Sequence, residues 1–382
     1  MIPFIDLEAQ KTQLGSRVEE AISRVIAHGK FIMGPEVAEL EARLAKFCGV
    51  RHAVSCASGT DALFLALLAK NVGRGDAVFV PSMTFVSTAE VVVLAGATPV
   101  FVDVCKDTFN IDIESLKKAI AVAKAKGLTP KVIAPVDLFG LPADYNALHV
   151  VAQQHGMWIL SDAAQSFGAR YKGKRVGTLG EVTATSFFPA KPLGCYGDGG
   201  AVFTDDEGLA RIMESLRVHG KGEDKYDNVR VGMNARLDTM QAAVLLVKLD
   251  IYEDEIIRRE QAARRYQQLL KDVVQVPFIP EGCESVWAQF TILLPEHCNR
   301  DAIAKHMQKD GIPTAVYYPK PLHRQSAYTQ FPAAEASLPV SEMLSERVLS
   351  LPMHPYLEEA VQVRIAESLS RALQQSQLRK AS

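Results

Sequence analysis

The sequence predicts an α/β fold, a large domain with a mostly parallel sheet between helices plus a smaller C-terminal α+β domain. Three observations predict it. Short, continuously apolar runs alternate with helical patterns through the first half of the chain. A long helical pattern at about 237–270 then leads away from that series. Beyond it, strand-like and helix-like stretches alternate on a smaller scale. A chain of 382 residues has room for two such domains at roughly 100–200 residues each.

In chain order, Leu7, Leu14, Val18, Ala21, Ile22, Val25 and Ile26 recur at helical spacing, so one helical segment is expected over 7–28. Val37, Leu40, Leu44 and Phe47 predict a second helix. The apolar runs at 53–56, 77–80, 99–103, 132–136, 158–162, 182–188 and 201–204 read as strands buried on both faces, because they do not alternate with polar residues. Helical patterns at 61–68, 87–94, 113–123 and 146–154 lie between them, the arithmetic of a βαβ series. After the long helix come a strand at 290–294, a helix at 300–308, a strand at 314–318 and a helix at 358–373. The expected domains are 1–250 and 251–382.

Composition removes several function classes. The hydrophobic fraction of 48% and charged fraction of 23% are those of a globular protein. Forty-two Lys and Arg against 44 Asp and Glu leave a net charge of -2, with no basic footprint for nucleic acid and no polybasic membrane signal. No apolar run is long enough for a membrane span, and the start Met1-Ile-Pro-Phe-Ile-Asp is not that of a secretory leader. The 6 cysteines are scattered without a Cys-x-x-Cys pair, so a reducing cytoplasm is expected. No His, Asp and Glu set has metal-ligand spacing, so no metal is expected.

In an open parallel sheet, function gathers where the strands end. Four strand exits are unusual. Ser58-Gly59-Thr60-Asp61 opens a helix; Thr60 is an ordinary cap there, or part of an anion site made by the first-turn amides. Phe85 follows the run at 77–80; it is either a core ring or a face for a flat ligand. Asp162 ends a buried run and needs a partner, either the next helix or a cationic ring nitrogen. The fourth exit is Ser186-Phe-Phe-Pro-Ala-Lys191-Pro-Leu-Gly, which continues to Gly200 through a glycine-rich turn. A lysine held inside a protein loses part of its preference for the ammonium form, and the free amine attacks carbonyls. Together these residues suit pyridoxal phosphate. Lys191 would meet its aldehyde, Asp162 its ring nitrogen and Phe85 its ring face. Gly59, Thr60 and Ser186 would hold its phosphate.

These motifs resemble the DegT/DnrJ/StrS family of nucleotide-sugar aminotransferases. The likeness also takes in Asp162-Ala-Ala-Gln-Ser-Phe-Gly, Gly232-Met-Asn-Ala-Arg-Leu-Asp, Tyr318-Pro-Lys-Pro-Leu-His and Leu351-Pro-Met-His-Pro. The resemblance implies the aspartate-aminotransferase-like fold (fold type I). It implies an internal aldimine between Lys191 and pyridoxal 5'-phosphate, with pyridoxamine 5'-phosphate as the intermediate. Gln165 would contact the phenolic oxygen of the ring. Asn234 would reach the phosphate of the neighbouring subunit in a homodimer with shared active sites. Arg236, Tyr317, Tyr318 and His323 would face the substrate. The implied reaction moves an amino group from L-glutamate to a UDP-linked keto sugar, above all C3 of UDP-2-acetamido-2-deoxy-3-keto-glucuronic acid, for bacterial surface polysaccharide (O-antigen). Members with that activity carry His-Tyr-Pro where this chain has Tyr317-Tyr318-Pro319.

Other readings are a C4 aminotransferase acting on a UDP- or dTDP-4-keto-6-deoxy sugar, and a non-catalytic regulator of the same fold. A dehydratase of this fold would replace Lys191 by histidine. A nicotinamide enzyme would need a Gly-x-Gly-x-x-Gly opening a helix, and none does.

Overall fold

A computed structural model describes residues 2–224 and 226–381. Helices α1 (Leu7–Leu14), α2 (Arg17–His28) and α3 (Pro35–Cys48) precede the sheet. The strands are β1 (His52–Cys56), β2 (Asp76–Pro81), β3 (Thr98–Val102), β4 (Thr129–Ile133), β5 (Trp158–Asp162), the short β6 (Arg170–Tyr171) and β7 (Lys174–Arg175), β8 (Val182–Ser186) and β9 (Gly200–Thr204). Between them lie α4 (Gly59–Ala69), α5 (Ser87–Leu94), α6 (Ile113–Ala125) and α7 (Tyr145–His155). Then come α8 (Glu207–Leu216), α9 (Thr239–Leu249), α10 (Tyr252–Leu270), β10 (Cys283–Glu284), β11 (Phe290–Leu293), α11 (Arg300–Lys309), α12 (Pro339–Arg347), β12 (Val348–Leu351) and α13 (Glu359–Ala381).

Seven strands form the main sheet in the order β1-β9-β8-β5-β4-β2-β3. Only β9 runs against its neighbours β1 and β8; the other pairings are parallel. Six strand exits therefore share one edge, and β9 begins there. The apolar strands carry helices on both faces. On one side α3 and α9 pack Leu40, Leu44 and Leu245 against Phe187 and Phe203. On the other, α4 to α7 supply Leu65, Leu116 and Leu148. The second core joins Tyr266 of α10, Phe290 and Ile292 of β11, Leu349 of β12 and Ile365 of α13. Among the described residues, no helix is long and apolar enough to cross a membrane.

Four expectations change. The segment 7–28 is two helices, because Gly15 turns to a φ of 59° and stops the first. The segment 237–270 is also two. At their junction Ile251 N–H reaches Lys248 O at 3.2 Å, a tight i→i−3 bond without any Gly or Pro to announce it. The residues 314–318 make only a single bridge, Ala315 to Ser350, and the strand beside β11 is β12 instead. Its signal is hidden because it starts directly where α12 ends. Finally, the N-terminus departs from the expected 1–250 division. Ile2 is packed in the second core, and Met353 N–H bonds Phe4 O at 3.1 Å.

Candidate active site

The site is built on the shared exit edge. Register aligns Cys56, Gly200 and Ser186 across β1, β9 and β8. Two glycines let the next element come down on them. A Cβ on Gly59 would stand 2.6 Å from Ser186 Cβ, and one on Gly200 would stand 2.3 Å from Ser58 O. The N-terminus of α4 therefore sits directly on the end of β8. Ser58, rather than Thr60, caps it: Ser58 Oγ accepts Asp61 N–H at 3.0 Å. That leaves Thr60 free to bond Ser87 Oγ at 2.8 Å. First-turn amides beside the Thr60 and Ser186 hydroxyls suit a phosphate.

Asp162 ends β5 and is 5% exposed. Its Oδ2 accepts from Thr88 Oγ1 at 2.7 Å and its Oδ1 from Ala164 N–H at 3.1 Å. A carboxylate has about four acceptor positions, so capacity remains for a ring N–H. Burial raises its pKa, while those hydrogen bonds and the charge of Lys191 oppose the rise. Lys191 mirrors this: burial pushes its ammonium below the usual lysine range, and Asp162 pulls it back up. The two groups thus feel each other's charge in one site. A lysine amine beside a buried carboxylate is the donor set a pyridoxal ring and aldehyde require, so the residues fit that group.

The lysine turn is held at several points. Lys191 N–H bonds Phe188 O at 2.8 Å, and Cys195 N–H bonds Phe187 O at 2.8 Å. Lys248, buried on α9, donates from Nζ to Gly194 O at 2.7 Å. Gln165 spans two neighbours: Oε1 accepts Phe139 N–H at 2.7 Å, and Nε2 donates to Tyr318 Oη at 3.1 Å. Phe85 is 54% exposed, which removes the core-ring alternative, and its ring lies 6.2 Å from that of Tyr318. Tyr317 meets Tyr318 at 5.9 Å and Phe4 at 6.4 Å.

Asn234 and Arg236 flank buried Ala235, whose carbonyl accepts Ala57 N–H at 3.1 Å just before α4. Asn234 is exposed, and the Nε of half-buried Arg236 has no hydrogen-bond partner among the described residues. His323 stands apart from the expected substrate-facing set. Its Nδ1 is 2.6 Å from Ser82 Oγ and its Nε2 is 2.9 Å from Glu342 Oε1. With both ring nitrogens engaged it anchors the turn that carries Phe85. Sequence reasoning missed Thr88, Ser87, Lys248 and Asp137. Asp137 carried the same signal as Asp162, a carboxylate just past a buried run.

Comparison with known proteins gives the family. Residues 12–370 match the DegT/DnrJ/EryC1/StrS aminotransferase family. The chain belongs to that family. Among relatives within it, the UDP-2-acetamido-2-deoxy-3-oxo-D-glucuronate aminotransferase of Pseudomonas aeruginosa is 47% identical over 363 residues, covering 94% of this chain and 97% of that one. A DegT/DnrJ/EryC1/StrS aminotransferase from Brucella abortus superposes with a TM-score of 0.94 at 54% identity, covering 97% of this chain and 98% of its own. NtdA from Bacillus subtilis, solved with its bound cofactor PMP, gives a TM-score of 0.89 at 28% identity over 98% of this chain and 85% of its own.

Proposed function

We propose that this member of the family uses pyridoxal phosphate to move the amino group of L-glutamate onto C3 of UDP-2-acetamido-2-deoxy-3-keto-glucuronic acid. The observation that carries the reading is the buried carboxylate of Asp162 at the end of β5, coupled by charge to Lys191 in the turn that follows the neighbouring strand β8. The likeness to the Pseudomonas glucuronate enzyme along 94% of the chain supports the sugar.

When bound, pyridoxal phosphate supplies an electron sink for a carbon that loses its proton. The chain supplies the rest. Asp162 Oδ would hold the ring N–H and keep it protonated. Gln165 Nε2 would offer an N–H to the ring oxygen, and Phe85 would cover the ring face. The amides of Gly59 and Thr60, with the Thr60 and Ser186 hydroxyls, would hold the phosphate. Lys191 Nζ takes the proton from the glutamate α-carbon and delivers it within the same site, general acid–base work at short range. Glutamate's amino group would pass by way of the cofactor to the keto sugar, with 2-oxoglutarate leaving in between, and Lys191 would serve the proton transfer in both halves. One site serves two unlike substrates in turn, so kinetics are ping-pong. The Arg236 guanidinium is a bidentate donor for a uronate or glutamate carboxylate. Tyr317 and Tyr318 line the sugar side.

The enzyme works as a homodimer in the cytoplasm and feeds surface-polysaccharide (O-antigen) synthesis. Large apolar side chains stand exposed at Phe31, Ile32, Met33, Phe188, Val229 and Val231. A second copy covering them, and reaching in with Asn234, agrees with that exposure. The test is a panel of UDP- and dTDP-linked 3-keto and 4-keto sugars with glutamate, read by product mass and position of the amine. Amination of the UDP-3-keto uronate at C3 is expected. Turnover confined to 4-keto-6-deoxy sugars would replace this reading with the C4 alternative.

A further inference from the structure

Asp137 lies one strand over from Asp162 and is fully buried. Three donors converge on its two oxygens. Ala143 N–H and Tyr145 Oη reach Oδ1 at 2.9 Å each, and Ser166 Oγ reaches Oδ2 at 2.7 Å. Three donors and no acceptor describe a carboxylate rather than a carboxylic acid. Burial nevertheless pushes its pKa up to about 7, opposed by these bonds and reinforced by the charge of Asp162.

The destinations of those bonds matter more than their number. Tyr145 gives its only proton to Asp137, so its oxygen accepts from Ser161, the residue before Asp162. Ser166 is the residue after Gln165. One carboxylate therefore grips the segment 161–166 at both ends. The main chain adds a third hold: Asp137 N–H bonds Asp162 O at 3.1 Å, and Asp162 N–H bonds Pro135 O at 2.9 Å. The turn that follows Asp137 puts Phe139 at a φ of 59°, and the amide of Phe139 meets Gln165 Oε1 at 2.7 Å. A carboxylate that served the core alone could bond any nearby donors. This one bonds those flanking the two side chains assigned to the cofactor ring.

We infer that Asp137 is the positioning residue for the cofactor ring, setting through Ser161, Tyr145 and Ser166 where the Asp162 carboxylate and the Gln165 amide stand. The inference rests on the pyridoxal phosphate reading of the site. Its charge also acts on the ring, because a buried anion beside Asp162 favours the protonated forms of the ring and of its link to Lys191. The titratable groups facing Asp137 are Asp162 on β5, Tyr145 on α7 and, further off, Cys283 on β10.

The test uses the holoenzyme and Asp137→Asn. This variant keeps the volume, removes the charge and replaces one acceptor by a donor. The readouts are the dissociation constant of the cofactor and the pH midpoint of its visible absorbance band. Expected are a tenfold or larger rise in the constant and a midpoint lower by about half a unit or more. A purely structural role would lower the apoprotein's melting temperature and leave the midpoint unmoved. Both readouts unchanged in a folded variant overturn the inference. If Asp137→Asn does not fold, Ser166→Ala decides: a threefold or larger rise in the constant supports the inference, and wild-type affinity overturns it. Borohydride treatment of the wild type separates the two levels. No cofactor fixed on Lys191 sinks the functional reading and this inference with it, whereas a fixed cofactor with silent variants sinks this inference alone.

Discussion

The floor of the site and its mouth are built differently. Asp162, Gln165 and the turn bearing Lys191 sit on strand ends, and buried partners fix each one: Thr88, Phe139 and Lys248. Phe85, Asn234 and Phe188 at the mouth are exposed. Such a floor is set before any ligand arrives, and ordering done at folding is not charged to binding. The open mouth leaves room for a nucleotide-sugar substrate.

The largest expected effect is at the floor. Lys191→Ala removes the proton carrier, and kcat falls by at least about a thousandfold, given that positioned acid–base groups contribute roughly 10²–10⁴. Steady-state assays together with cofactor titration check it: cofactor still binds noncovalently, and undiminished turnover would erase the distinction between floor and mouth. Next comes the mouth itself. Arg236→Ala loses a charge-assisted hydrogen bond of about 1.5–3 kcal/mol. KM for the sugar or for glutamate rises roughly tenfold to a hundredfold, while cofactor affinity stays within about threefold of wild type. If all three fall together, Arg236 belongs to the framework rather than to the mouth.

The smallest effect at neutral pH concerns the support beneath the mouth, where Phe4 bonds Met353 beside His354. His354 is 3% exposed, and both of its ring nitrogens lack a hydrogen-bond partner among the described residues. Burial lowers its pKa to about 4; Asp6 opposes this and Arg259 adds to it. The unfolded chain therefore binds a proton near pH 6.5 that the native state refuses. Stability is complete above about pH 6.5 and is lost as pH falls toward 4, by roughly 2–3 kcal/mol. Denaturant titrations of His354→Phe at pH 7 and pH 4.5 check it. The variant should lose less stability than wild type on acidification, and an equal loss would refute the burial account.

Much of the floor was legible because its residues cluster in sequence. Lys191 stands in a stiff segment between two prolines, and Asp162 with Gln165 lies within one short motif at a strand exit. The alternation of apolar runs and helices made the α/β class readable in the same way. What was not legible depends on partners far apart in the chain. Asp137 acquires its meaning from Tyr145, Ser161 and Ser166, which only the fold assembles. His323 stands in a motif suggestive of substrate contact, yet Ser82 and Glu342 occupy both of its nitrogens. Ser58 takes the cap expected of Thr60, a two-residue shift of the helix start that changes which hydroxyl is free. The break between α9 and α10 left no mark because no glycine or proline makes it.

The central claim is a covalent seat for the cofactor on one side chain. Borohydride reduction of the purified protein with pyridoxal phosphate, followed by peptide mapping by mass, tests it most directly. The account predicts a pyridoxyl group on the peptide that contains Lys191 and on no other. A group fixed on a different lysine, or none in protein saturated with the cofactor, would contradict it.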